Sequence, residues 1–365
     1  MRVWFAGGGT GGHLYPGLAI ARAMKALDPE VRPFFIGARR GIERELLPGQ
    51  GVEHELLDLH PLYRSRPWEN WRTLRGALSA WRRLGALARA ERPRLVVGTG
   101  GYAAGLALAY AWVHRLPYVL QEANSHPGLT VRAFARRARE IYLGYPEAAK
   151  SLPAEPERII DAGSPIEPPP LPRPARAEAR AGWGFPREGP RVLLVFGGSQ
   201  GARGLNAAVA EWVRSGVRDD LRVIWGTGRA QYEELAPLGN NRVVIRPYLS
   251  PIADAYAAAD LALTRSGAMT TAELAAWGIP MILVPLPTAA ADHQTHNAVA
   301  LEGAGAAIHL PQREANGAAI ARLLGELLPD PSRLGMLAAG ALRRARPDAA
   351  RLIATRALSV ARSGR

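Results

Sequence analysis

The sequence predicts an α/β protein of two domains in tandem, each a parallel sheet with helices on both faces. Three observations predict it. Short apolar runs alternate with helix-length segments along the whole chain, the pattern of parallel sheets covered on both sides. Each half opens with the same device, an apolar strand, a glycine-rich turn and a helix, as in "RVWFAGGGTGGH" and, from Arg191, "RVLLVFGGSQGARGLN". Between the halves lies "GSPIEPPPLPRPARAEARAGWG", whose prolines at 165, 168, 169, 170, 172 and 174 exclude regular structure and suit a stiff linker.

Taken in order, "RVWFA", "VRPFFIG", "RLVVG", "PYVLQE" and "EIYLG" read as strands of the first domain. "RVLLVFG", "LRVIWG", "RVVIRPY", "LALTRS" and "PMILVPL" read as strands of the second. Helices are expected between them, among them Pro16 to Leu27 and Ala268 to Trp277. The division that follows is a first domain over 1–162, a linker and lead-in over 163–190, and a second domain over 191–346. Pro347 then breaks the helical stretch, so 347–365 form a last helix free to pack back on the first domain. At 365 residues there is material for two cores. The longest uncharged run, Leu95 to Val113, could span a bilayer by length. Its glycines at 98, 100 and 101, bracketed by Arg94 and Arg115, make it a strand, a turn and a helix instead.

Composition narrows the chemistry. The absence of cysteine excludes disulfides, thiolate metal sites and a cysteine nucleophile, and fits a reducing cytoplasm. "MRVWF" is too short for the apolar core of a signal peptide. The net charge of +14 is carried almost wholly by arginine, which reflects compositional bias or an anionic partner.

Three glycine-rich strand-to-helix turns carry the function: "AGGGTGGH", "VVGTGGYAAG" and "VFGGSQGARGLN". Amides at such helix starts bind anions, and three of them over two domains point to one ligand held between the domains. Two simpler readings compete. Gly7, Gly9 and Gly12 match a dinucleotide fingerprint, but where a ribose-binding acid is wanted the next strand ends in Arg39 and Arg40, which suit at best the 2′-phosphate of an NADP-dependent oxidoreductase. Gly197, Ser199 and Gly201 match a hydrolase nucleophile elbow, with Asp260 and His293 following in the right order. That reading leaves the first 160 or so residues unexplained.

"GGGTGGH", "GTGGYAAG", "QEANSHPGLT", "FGGSQGARGLN", "RSGAMTTAELAAWGIPMILVP" and "DHQTHNA", in this order from residue 6 to about 298, resemble the MurG family. Its members are UDP-N-acetylglucosamine transferases that complete lipid II in peptidoglycan synthesis. The resemblance implies the GT-B fold, two Rossmann-like domains with a cleft between them, with the nucleotide sugar mainly on the second domain and the lipid acceptor on the first. It places Thr10, Gly11 and Gly12 over the donor's diphosphate and sugar, Asn124 on the sugar, and Ser199 on phosphate. It puts Leu249 at the position whose backbone holds uracil. Ala268, Met269, Thr270, Thr271, Ala272 and Glu273 fall on the helix start beside the diphosphate, where the helix dipole favours anions. Glu273 would accept from the ribose hydroxyls, and Gln294 would bond the sugar. "GSPIE" departs from the family's "GNPVR"-like stretch and puts Glu167 where arginine can contact the nucleotide, so Glu167 is left out of the site.

The implied reaction joins GlcNAc, α-linked in UDP-GlcNAc, to the 4-hydroxyl of MurNAc with inversion. It needs a base for the acceptor hydroxyl and stabilisation of departing UDP. His13, at the edge of the first loop, is the candidate base, since imidazole titrates near neutrality; orienting the loop or bonding the sugar or phosphate is the other role open to it. Asp292, His293 and His296 share a helix face at metal-ligand spacing, yet no further carboxylate clusters with them. With no Asp-x-Asp pair in the chain, neither metal nor other cofactor is expected.

Residues 62 to 94 hold nine arginines against two glutamates, with Trp68, Trp71 and Trp81 interleaved. Read as a helix from about Trp71, this stretch lines Leu74, Leu78, Trp81 and Leu84 along one side. Nothing else resembles a base-reading module, so nucleic acid is not the expected partner. Trp71, Arg75, Trp81, Arg82 and Arg83 read as a patch for an anionic membrane surface. The expected location is therefore peripheral, on the cytoplasmic face of the cell membrane, where the lipid-linked MurNAc-peptide acceptor would be met.

Overall fold

A computed structural model describes residues 1–59, 70–198 and 201–363, with the side chains of 70–75 outside that description. It divides into two compact units, one of Met1–Glu167 with Asp348–Arg365 and one of Pro168–Pro347. The first unit contains β1 (Arg2–Gly7), α1 (Gly11–Leu27), β2 (Arg32–Ala38), α2 (Glu43–Leu46), β3 (Glu53–Leu57), α3 (Asn70–Glu91), β4 (Leu95–Gly100), α4 (Tyr102–Val113), β5 (Tyr118–Glu122), α5 (Leu129–Phe134), β6 (Ile141–Leu143) and β7 (Ile159–Asp161). The second contains α6 (Arg176–Gly182), β8 (Arg191–Phe196), α7 (Arg203–Ser215), β9 (Leu221–Gly226), α8 (Arg229–Leu235), β10 (Val243–Arg246), α9 (Ile252–Ala258), β11 (Leu261–Thr264), α10 (Ala268–Trp277), β12 (Met281–Leu283), α11 (His293–Gly303), β13 (Ala307–His309), α12 (Gly317–Leu327) and α13 (Pro331–Arg344). The last helix, α14 (Ala349–Ser363), returns to the first unit.

Both sheets are parallel throughout, and their orders are β3-β2-β1-β4-β5-β6-β7 and β10-β9-β8-β11-β12-β13. Central strands such as β1 and β4 are buried along nearly their whole length, as sheets covered on both faces require. In the first unit, one face packs Val3, Phe5 and Val97 against Leu14, Leu18 and Met24 of α1 and Ile353, Ala354 and Ala357 of α14. The other packs Trp4, Val96 and Leu120 against Leu84 of α3 and Ala104 and Leu108 of α4. Arg356 of α14 clasps Glu140 through two hydrogen bonds of 2.9 and 2.8 Å, and Arg362 bonds Asp28 at 2.7 Å. The uncharged run 95–113 is β4, a glycine turn and α4, and among the described residues no helix is long and apolar enough to cross a membrane.

The sequence reading of the linker needs one correction. Residues 176–182, read there as part of it, form α6 and pack into the second unit. Arg180 and Arg176 of α6 reach Asp260 at 2.6 and 3.0 Å, and Arg191 adds a third contact at 3.3 Å. Asp260 also accepts the Val192 amide at 2.7 Å, so one buried carboxylate joins α6 to the starts of β8 and β11. Arg173 caps the end of α10 by donating to the Ala276 and Trp277 carbonyls while lying over the Trp277 ring.

Removing one partner of such a buried pair leaves the other charge unpaired, which costs about 3–5 kcal/mol. Asp260→Ala is therefore expected to lower the unfolding free energy of the second unit by an amount of that order, read as a lower midpoint in equilibrium denaturant unfolding. A midpoint equal to wild type would remove Asp260 from the forces that hold this unit together.

Candidate active site

In each sheet the strand order reverses once, between β1 and β4 and between β8 and β11. Helices following two such strands leave on opposite faces, so the strands' carboxyl ends stay uncovered, and ligands of open α/β sheets bind there. The first two glycine turns follow β1 and β4; the third follows β8, and the start of α10 follows β11.

The first turn is shorter than the sequence reading expects. Helix α1 begins at Gly11, so Gly11, Gly12 and His13 form its first turn and Pro16 lies inside the helix rather than at its start. Pro16 has no N–H to give the Gly12 carbonyl. The Gly11 and Gly12 amides belong to the donors that a helix start leaves without intrahelical partners, whereas the His13 amide bonds the Thr10 carbonyl at 3.2 Å. Thr10 is the N-cap, but its side chain makes no capping bond; Oγ1 sits 3.1 Å from His13 Nδ1. The His13 carbonyl accepts from Thr99 Oγ1 at 2.6 Å, which ties α1 to the end of β4. A Cβ at Gly100 would press on the His13 ring at 2.9 Å, and one at Gly101 would strike the Gly8 carbonyl. Both glycines have positive φ, 94° and 77°. Thus the two glycine turns pack on one another, with the imidazole against the second.

Asn124 stands in a third loop at the same edge. Glu122 is buried at the end of β5 and accepts from the Asn124 amide at 2.9 Å, Asn124 Nδ2 at 3.2 Å and the Gly128 amide at 2.8 Å. Burial pushes this carboxyl above its usual range, and those three N–H donors oppose the shift. Thr130 Oγ1 donates to the Gly101 carbonyl at 3.0 Å, closing the loop onto the second glycine turn.

In the second unit, Gly267 caps α10, and the amides of Ala268, Met269 and Thr270 are those left without intrahelical partners. Thr271 contributes neither amide nor hydroxyl outward, because its N–H bonds the Gly267 carbonyl and its Oγ1 the Gly267 and Ala268 carbonyls. Ala272 lies deeper in the helix, where its amide is used within it. Of the six residues assigned to this helix start, three keep an amide to offer and Glu273 keeps a carboxylate. Glu273 accepts from the Tyr256 hydroxyl at 2.7 Å, and burial, with the carboxylate beside it, holds that phenol well above its ordinary value. Gln294 accepts the Leu286 amide at 3.0 Å through Oε1, so its Nε2 is the atom placed to donate elsewhere. The Leu249 side chain is buried against Gly226, leaving backbone as what this position can present.

Three residues beside these loops are not among the predicted site residues, Glu43 in the first unit and Tyr256 and Arg265 in the second. Glu43 is fully buried beneath the first turn. Tyr256 orients Glu273. Arg265 is buried just before α10, donating to the Val284 and Pro285 carbonyls, and burial lowers its guanidinium to about 10. It remains a cation at neutral pH, adding positive charge to the helix start. The buried "R" of "RSGAMTT" was the available signal for Arg265; Glu43 and Tyr256 gave none.

The hydrolase alternative fails on position. Asp260 precedes β11 at the amino edge of the sheet, bonded to arginines, while His293 follows β12 at the carboxyl edge. His293 Nδ1 lies 2.9 Å from the Ala290 carbonyl, and Asp292 accepts from Thr295 Oγ1. Ser199 lies outside the described residues. The dinucleotide alternative finds no acid at the end of β2, since the nearest, Glu43, is turned under the loop.

The stripe read on α3 is corrected. Gly76, Ala80, Leu84 and Leu87 face inward, whereas Leu78 is 57% exposed. Trp81 packs edge-on against Tyr110 of α4 at 5.3 Å. Arg82 is exposed, while Arg83 is held by Glu55 through two hydrogen bonds of 3.0 and 2.9 Å. Trp71 and Arg75 lie on α3 with side chains outside the description. The structure adds exposed Trp112, Val113 and Leu129 on α4 and α5, with Arg115, Arg132, Arg136 and Arg137 exposed nearby in the chain. Arg137 lies over the Trp112 ring.

Comparison with known proteins agrees with this architecture. Residues 3–143 match the Glycosyltransferase family 28 N-terminal domain and residues 192–353 its C-terminal domain. The UDP-N-acetylglucosamine--N-acetylmuramyl-(pentapeptide) pyrophosphoryl-undecaprenol N-acetylglucosamine transferase of Salinibacter ruber is 39% identical over 98% of this chain and 96% of its own. Its counterpart in Moorella thermoacetica is 37% identical over the full length of both. The crystal structure of Acinetobacter baumannii MurG superposes with a TM-score of 0.77 at 26% identity, covering 98% of this chain and 99% of that one. The UDP complex of Staphylococcus aureus MnaA, at 12% identity and a TM-score of 0.67, shares the fold alone. Near-complete coverage by such relatives, on two parallel sheets with reversed strand order, makes this chain a GT-B glycosyltransferase of family 28 and a member of the MurG family.

Proposed function

We propose that the protein transfers GlcNAc from UDP-GlcNAc to the 4-hydroxyl of MurNAc in lipid I, giving lipid II with inversion at the sugar carbon. The observation that carries this reading is identity of 36 to 40% along nearly the whole chain with transferases named for that reaction. In the second unit, the Ala268, Met269 and Thr270 amides and the Arg265 cation receive the diphosphate, Glu273 the ribose hydroxyls, and Gln294 the sugar. Leu249 offers its backbone to the uracil, and Ser199 its hydroxyl to phosphate. In the first unit, Thr10, Gly11, Gly12 and Asn124 serve the sugar and phosphates, and His13 the acceptor.

The chemistry is one displacement. The acceptor oxygen forms its bond to the sugar C1 as the bond from C1 to the diphosphate oxygen breaks, and the bonding pair leaves with UDP. The acceptor proton passes to His13. With Nδ1–H donating to Thr10 Oγ1, Nε2 holds the lone pair that takes it. Negative charge growing on UDP is met by amides already oriented at the start of α10, which need no reorganisation when the bond breaks.

A supporting reading concerns location. Leu78, Trp112, Val113 and Leu129 form exposed apolar positions on α3, α4 and α5 among arginines that include Arg82, the composition of a surface that lies on anionic lipid. Such a surface would hold the enzyme peripherally on the cytoplasmic face, beside its lipid-linked acceptor.

Incubation with UDP-GlcNAc and a lipid I analogue should yield the GlcNAc–MurNAc product, and UDP-GlcNAc binding without product would reduce the protein to a nucleotide-sugar sensor. His13→Ala is expected to leave UDP-GlcNAc binding intact and lower kcat by ~10²–10⁴-fold, the range of general-base catalysis. Turnover within a few-fold of wild type would end the base assignment. Glu273→Ala should weaken UDP binding in calorimetry by about 1.5–3 kcal/mol, the scale of hydrogen bonds to a charged group. Unchanged affinity would take Glu273 out of the site. On the membrane side, Arg75→Glu with Arg82→Glu should abolish salt-sensitive sedimentation with anionic vesicles while sparing a soluble acceptor; Arg83 is left in place because Glu55 already holds it.

A further inference from the structure

The first turn spends five glycines in eight residues, and the structure shows what most of them serve. A Cβ on Gly7 would fall on Thr99 Oγ1, one on Gly9 would lie 2.8 Å from the Tyr102 ring, and one on Gly11 3.1 Å from the Tyr15 ring. On Gly8 it would fall inside the Glu43 carboxylate, as would one on Gly41. Only Gly12 is open, with Thr10 Oγ1 the nearest atom at 3.8 Å. Three of the five, Gly7, Gly8 and Gly9, are therefore required by neighbours within the protein.

We propose that Glu43 is the positioning residue of this turn: its buried carboxylate fixes the Gly9 backbone, and through it Thr10 and His13. Glu43 is fully buried. Oε2 accepts the Gly9 amide at 2.9 Å and Oε1 the Ala38 amide at 3.2 Å. Among the described residues no arginine, lysine or histidine forms an ion pair with it. A buried carboxylate held only by amides is expensive, and an apolar side chain would fill the same volume at lower cost. What the carboxylate supplies is a pair of charge-assisted hydrogen bonds, stronger than neutral ones, that join the end of β2 to the turn after β1. Gly9, at φ 87°, is thereby fixed one residue before Thr10, which caps α1 and meets His13 Nδ1. Glu43 itself touches no reacting group.

The effect on turnover rests on the transferase reading above; the effect on the loop does not. Glu43→Gln keeps the shape, but its NH₂ must face one of the two amides. Amide hydrogen exchange at Gly9 should quicken by about tenfold or more, with β8 to β13 unchanged, because only the local opening is easier. For the same variant, kcat should fall ~10–100-fold, the scale of a misplaced catalytic group. A paired experiment separates positioning from packing. Gly8→Ala alone should destabilise the first unit, and adding Glu43→Ala, which clears the space for the new Cβ, should recover most of that stability while kcat stays low. Wild-type exchange at Gly9 in Glu43→Gln would overturn the proposal, as would kcat within twofold of wild type. If wild type itself makes no product, the transferase reading fails, and the exchange result still decides whether Glu43 holds the turn.

Discussion

Everything at the candidate site follows from one topological constraint, the reversal of strand order at the middle of each sheet. Right-handed crossovers on either side of that point send successive helices to opposite faces. In the first unit this puts α1 with α14 on one face and α3 with α4 on the other. The carboxyl ends of β1 and β4 are then the edge that no crossover covers, and it is there that the first two glycine turns lie. The second unit repeats the arrangement at β8 and β11.

Such an edge is polar, and its loops need support that a hydrophobic core cannot give. Buried carboxylates provide it. Glu43 accepts two amides under the first turn, and Glu122 accepts three N–H groups under the Asn124 loop. Asp260 performs another service at the amino edge of the second sheet, where three arginines join the Val192 amide around it. The carboxylate group thus serves two ends of the fold: held by N–H groups under the loops, and by arginines and one amide where α6 is docked.

A helix start suits transfer from a nucleoside diphosphate. Backbone amides at a helix start are already oriented and pay little reorganisation as charge develops. The start of α10 adds Arg265, a buried cation whose lowered value still leaves it charged. Thr271 shows how few of the residues in a motif face outward: its hydroxyl and its amide are both spent inside the helix.

Sequence alone determined the two α/β domains, ten of the strands and the family, because apolar runs and glycine turns are local signals. Three strands escaped it. β3 reads "EHELL" and is only half-buried at an edge, while β7 and β13 are three residues each at the opposite edges, too short to show a pattern. α6 hid inside a proline-rich stretch because its anchor, Asp260, is 80 residues away from Arg180. His13, Asn124, Glu273 and Gln294 were legible as motif residues. Which of Ala268 to Ala272 keeps an amide, which side of α3 is buried, and that Glu43 and Tyr256 hold the residues beside them were decided only by tertiary structure. A hydrogen bond across 34 residues or a helix rotated toward its neighbour leaves no periodicity in the chain, since what fixes it is the partner's position in space.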